Sequence, residues 1–147
     1  MKVILDANVY ISYLLARRSG RSITEVVDSC LSNPQIELIA PQELLAEIRR
    51  SVLAKPYLRT HIFEDELAAL EEALALIAET PSPLSDILPH SRDAQDDYLL
   101  AYGLMERADY LVTGDDDLLV LERIESLRIV SVPVFWSILR TSPGESE

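Results

Sequence analysis

Four separate stretches of this 147-residue sequence carry acidic side chains in settings where carboxylates need compensation. Asp6 directly follows the apolar run Val3-Ile4-Leu5, and burial there disfavours its charged form unless donors or a cation offset the cost. Capping the helix that follows is the ordinary use of such a residue and explains it equally well. Gly114-Asp115-Asp116-Asp117 fits capping less well, because one helix N-terminus uses one or two carboxylates and three adjacent ones repel. A solvated acidic loop is the plain alternative. Asp93, Asp96 and Asp97 are spaced by three and four, so all three can share one side of a helical first turn. Glu47 lies at the margin of the apolar stripe Leu44, Ile48, Val52, half turned toward a core or a cleft. In isolation, a surface pair with Arg50 or Ser51 is the simpler account of Glu47.

A bound cation relieves all four groups at once. Mg²⁺ and Mn²⁺ take oxygen ligands, a few carboxylates completed by water and substrate phosphate. No nitrogen or sulfur set competes, since His61 and His90 stand apart and Cys30 is alone in the apolar pattern Val26, Val27, Cys30, Leu31. One cysteine also excludes an internal disulfide, which suits a reducing compartment.

Positioning such groups requires a scaffold, and the apolar pattern supplies one. Val3-Leu5 reads as a buried strand. Val9, Ile11, Leu14 and Leu15 belong to a first helix, and Ile23, Val26, Val27, Cys30 and Leu31 to a second, after the turn-like Arg17-Arg18-Ser19-Gly20. Ile36 to Ala40 is a strand, and Pro41 opens a helix ended by Lys55-Pro56. Leu67, Leu70, Leu74 and Ile77 mark another helix, and Thr80-Pro81-Ser82-Pro83 a loop. A helix near 94–107, a strand at 110–112, a short helix after Asp115, a strand at 128–130 and a helix near 133–139 complete the chain. Strands alternating with helices imply βαβ crossovers. The expected fold is a Rossmann-like three-layer α/β/α domain with a mostly parallel central sheet over residues 1–138, with 139–147 as a flexible tail. Ligands in such folds bind beyond the carboxyl ends of the strands where the strand order reverses, and strand one ends at Asp6 while the 110–112 strand ends in Thr113-Gly114-Asp115.

Composition agrees with a single soluble domain: 48% hydrophobic, 26% charged, and no apolar run long enough to cross a bilayer. A cytoplasmic location is the expectation. The net charge of −12 is polarised, with residues 1–60 at +2 and residues 61–147 at −14. Such a balance argues against a general nucleic-acid coat protein. It leaves open whether the acidic half repels polyanions or holds cations that a polyanion shares.

The motifs resemble those of the PIN-domain endoribonucleases. Val3-Ile4-Leu5-Asp6-Ala7-Asn8-Val9 is similar to the family's opening strand, and Pro41-Gln42-Glu43-Leu44-Leu45-Ala46-Glu47-Ile48 to its second motif. Arg92-Asp93-Ala94-Gln95-Asp96-Asp97-Tyr98-Leu99-Leu100-Ala101 is similar to its third, with Ala94 where relatives often have Pro. Ala108 to Leu119, through Thr113-Gly114-Asp115-Asp116-Asp117, is the most specific segment. The resemblance runs from residue 1 to about 138 and implies catalytic roles for Asp6, Glu47, Asp96 and Asp115. Asp97 stands close behind Asp96, because two registers of the third motif differ by one residue. It implies further that Asp6, Asp96 or Asp97, Asp115 and Asp117 surround Mg²⁺ or Mn²⁺, with Asn8, Thr113 and Asp93 orienting ligands or water. Arg17, Arg18, Arg21, Arg49 and Arg50 offer a basic rim for RNA, or ordinary solvated surface. Many single-domain bacterial members are VapC-like toxins held by a cognate small antitoxin protein, often as homodimers.

Other functions also gather carboxylates at a parallel sheet. A haloacid-dehalogenase-like phosphatase wants a second Asp where Asn8 stands and a later lysine, for which only Lys55 is available. A receiver-type signalling domain wants a lysine near its final strand, and no lysine follows Lys55. A non-catalytic interaction module gives no reason for four acidic segments to coincide.

Overall fold

The computed structural model describes residues 1–15, 21–83 and 94–141, and the side chains of Arg21 and of residues 94–97 fall outside that description. The strand β1 is Lys2–Leu5, in which Val3, Ile4 and Leu5 are fully buried, as a strand covered on both faces requires. Helices α1 (Ala7–Leu15) and α2 (Arg21–Ser32) lead to β2 (Glu37–Ile39). Next come α3 (Gln42–Ala54), α4 (Pro56–His61), α5 (Glu64–Ile77) and α6 (Ala94–Met105). The chain then forms β3 (Tyr110–Val112), α7 (Asp116–Leu119), β4 (Arg123–Ile124), β5 (Leu127–Val130) and α8 (Val132–Thr141).

The sheet order is β2-β1-β3-β5-β4. The first four strands run parallel and β4 joins antiparallel to β5, so the expected three-layer α/β/α fold with a mostly parallel sheet is what forms. From β1 the chain moves to β2 on one side and later returns to β3 on the other. The order therefore reverses between β1 and β3, and that is where ligands bind in open parallel sheets. Register does the rest: Leu5 pairs with Val112, and the ladder continues past the strand ends through Asp6 N–H to Val112 O at 2.9 Å and Thr113 N–H to Val130 O at 3.0 Å. Asp6 and Thr113 thus leave the same edge of the sheet side by side.

The core follows the apolar periodicity. Leu44, Ile48 and Val52 line the buried side of α3, and Leu67, Leu70 and Leu74 that of α5. Cys30 is buried and burial pushes its thiol up to about 12, which fits a core residue and not a nucleophile. Gly103 allows α6 to lie close on the sheet, since a Cβ there would come within 2.8 Å of Leu127 Cδ2.

Four details depart from the sequence reading. Pro56 does end α3, and it also takes the first turn of α4, where its missing N–H costs nothing. β4 was unexpected, because two residues carry no period; it pairs with β5 across a turn in which Glu125 sits at φ +55°. Glu79 bridges to Ile39, so the segment after α5 lies along β2. The last helix runs to Thr141, which makes 139–141 helical where a tail was expected; residues 142–147 lie outside the described residues. Among the described residues no helix is long and apolar enough to cross a membrane.

Candidate active site

Asp6 is 7% exposed and Thr113 fully buried. The Thr113 hydroxyl donates to Asp6 Oδ2 at 2.6 Å and accepts the Asp115 amide at 3.0 Å. The capping account of Asp6 fails on this geometry, because only its backbone carbonyl starts α1, accepting from Val9 and Tyr10. Its carboxylate takes that one neutral hydrogen bond and no ion pair from the described residues. Asp115, in contrast, does cap: its Oδ1 accepts the Asp117 amide at 2.9 Å and starts α7. One Asp115 oxygen is thereby occupied, and the other has no partner among the described residues. Asp116 and Asp117 are exposed on the first turn of α7, and Asn8 is exposed on that of α1.

Glu47 is half-buried, as its place beside the Leu44–Ile48 stripe implied, and its partner is neither Arg50 nor Ser51. Tyr98 on α6 donates its hydroxyl to Glu47 Oε1. One turn on, Tyr102 donates to Glu43 Oε1 and Oε2 at 2.7 and 2.8 Å and lies 3.2 Å from Ser82 O. Burial first, then the bond to Glu47 and the charges of Glu47, Asp6 and Glu43, hold the Tyr98 phenol well above its ordinary value. Asp6 and the two α3 glutamates are therefore near enough for their charges to act on one buried phenol. Sequence reasoning missed Tyr98, Tyr102 and Glu43. Their signal is a pair of i,i+4 spacings, Glu43/Glu47 and Tyr98/Tyr102, on two helices that pack together.

Asp96 and Asp97 belong to the first turn of α6, directly before Tyr98, and their side chains lie outside the described residues. So do Asp93, Arg17, Arg18 and the Arg21 side chain. Arg49, expected on a basic rim, is instead committed to α5: it grips Glu71 with two bonds of 2.7 Å and Glu64 at 2.9 and 3.3 Å. Arg50, Lys55 and Arg59 are exposed on α3, the α3–α4 junction and α4.

Among the described residues no three of His, Cys, Asp and Glu stand close enough to hold a metal ion. The oxygen groups present still suit a hard divalent cation: among the described residues there is a buried carboxylate with no cation partner, a second carboxylate with one oxygen left, and no nitrogen or sulfur ligand beside them.

The sequence pattern of the PIN domain family matches residues 2–117, and the chain belongs to that family. PIN domains are nucleases that generally use divalent metal ions, which sets aside the phosphatase and receiver readings. Among solved structures, one that resembles this chain is the crystal structure of VapBC2 from Rickettsia felis bound to a DNA fragment from their promoter. The two chains are 17% identical with a TM-score of 0.56, over 89% of this chain and 98% of that one, a likeness of fold. No curated protein matches the chain significantly.

Proposed function

We propose that this chain is a metal-dependent endoribonuclease, acting with Mg²⁺ or Mn²⁺, and the cytoplasmic toxin of a toxin–antitoxin pair. The observation that carries the reading is the buried Asp6 carboxylate at the strand-order reversal, balanced within the described residues by a single neutral donor. A carboxylate so placed calls for a cation.

Asp6 and Asp115, with Asp96 or Asp97 from α6, would hold the ion, and Asp117 lies two residues beyond Asp115. Bound there, a divalent metal lowers the pKa of a water and neutralises charge on a phosphodiester. Thr113 fixes the Asp6 carboxylate and the Asp115 backbone together. Glu47, held by Tyr98, would orient or deprotonate the attacking water. Arg50 on exposed α3 and the basic residues 17, 18 and 21 would meet the RNA backbone. The toxin role, with a small antitoxin partner, is supported by the likeness to a chain of a VapBC2 complex. A homodimer of this domain completes the reading.

Purified protein and a labelled RNA test it. Cleavage should require Mg²⁺ or Mn²⁺ and stop with excess chelator, and full activity in chelator overturns the mechanism. Asp96→Asn should impair cleavage more than Asp97→Asn, and the reverse order moves the assignment by one residue.

A further inference from the structure

We propose that Tyr98 is a positioning residue: by donating to Glu47 Oε1 it fixes the Glu47 carboxylate so that Oε2 serves the metal-bearing cleft beside Asp6. This inference rests on the metal-dependent nuclease reading and adds a group from outside its acidic set.

Two chemically identical pairs cross the α3–α6 contact one turn apart, and they are built differently. Tyr102 is fully buried and reaches both oxygens of Glu43 as well as the Ser82 carbonyl, so that pair joins α3, α6 and the loop after α5. Tyr98 reaches one oxygen of Glu47, and among the described residues Oε2 has no partner. Glu47 is half-buried, yet Oε2 is not among the buried polar atoms that lack a partner, so it stays open to water or a ligand while its twin oxygen is held. That is what a ligating or water-orienting group requires. A flexible glutamate loses rotamer freedom when it coordinates, and a rigid phenol anchored in α6 removes that cost beforehand. Position agrees, because Tyr98 directly follows Asp97, so one helical turn carries both the third acidic motif and the anchor for Glu47.

A thermodynamic cycle on Mn²⁺ affinity, read by calorimetry without RNA, tests the proposal. The proteins are wild type, Tyr98→Phe, Glu47→Gln and the double variant, with Tyr102→Phe as reference and thermal melts on all five. Tyr98→Phe should weaken Mn²⁺ binding on the order of ten- to hundredfold. In the Glu47→Gln background it should have no further effect, because its route of action is already gone. Tyr102→Phe should lower the melting temperature and leave Mn²⁺ affinity unchanged. Wild-type affinity in Tyr98→Phe overturns the proposal. So does an equal loss in both backgrounds, or an equal loss from Tyr102→Phe, either of which marks a general packing role. A wild-type protein that binds no Mn²⁺ overturns the nuclease reading itself and this inference with it.

Discussion

Thr113 Oγ1 donates to Asp6 Oδ2 at 2.6 Å across adjacent parallel strands, and the same oxygen accepts the Asp115 amide. One hydroxyl thus binds the two strand ends that bear the first and last acidic motifs. Thr113→Val keeps the shape, strips a buried carboxylate of its donor and frees the Asp115 amide. It should cost about 1–3 kcal/mol of stability in urea denaturation, together with a large loss of cleavage rate. A variant as stable as wild type would mean that water replaces the hydroxyl.

Asp6→Asn and Asp115→Asn should each abolish cleavage without loss of thermal stability. Asn at 6 can still accept from Thr113, and Asn at 115 remains a good N-cap for α7, while each change removes one negative charge from an acidic cluster. Cleavage assays and melting curves on the same preparations read both effects, and turnover near wild type in either variant removes that residue from the site.

Arg49 fastens α3 to α5, and Arg49→Met should lower the melting temperature through lost ion pairs with Glu71 and Glu64. The Arg49 guanidinium holds the Glu64 carboxyl below its ordinary value of 4.5. A lowered carboxyl contributes fully above that ordinary value and loses its contribution as the pH falls through the lowered one. Wild type and variant should therefore melt closer together at about pH 3 than at neutral pH, and closer at about 1 M salt than at low salt. An undiminished gap in acid would assign the effect to the packed arginine stem.

The Tyr10 hydroxyl is fully buried and has no hydrogen-bond partner among the described residues. Burial, with a smaller contribution from Cys30, raises its pKa well above the ordinary value, so it stays protonated and carries the desolvation cost of an idle donor. Tyr10→Phe keeps the ring and should raise stability by up to about 1 kcal/mol. Equilibrium urea unfolding measures it, and a clear loss of stability would reveal a buried partner for the hydroxyl.

Four of the five strands, most of the helices and the acidic motifs were legible in the sequence because each is a local property. Val3-Ile4-Leu5 must be buried, Leu44, Ile48 and Val52 must share a helix face, and Asp6 must leave the end of a strand, whatever the rest of the chain does. Short elements without a period, such as β4 and α4, were not legible. Nor were the partners of the polar groups. Thr113 and Asp6 lie 107 residues apart, Tyr98 and Glu47 51, Arg49 and Glu71 22. In the sequence alone Asp6 could equally cap α1, Glu47 could equally reach solvent, and Arg49 could equally meet RNA. Parallel register set Asp6 beside Thr113, and the packing of α3 on α6 turned Glu47 toward Tyr98. Ion pairs with Glu64 and Glu71 tied Arg49 to α5 instead. A carboxylate's local sequence fixes where its backbone goes, whereas the donor that compensates its charge comes from whichever element tertiary packing lays against it.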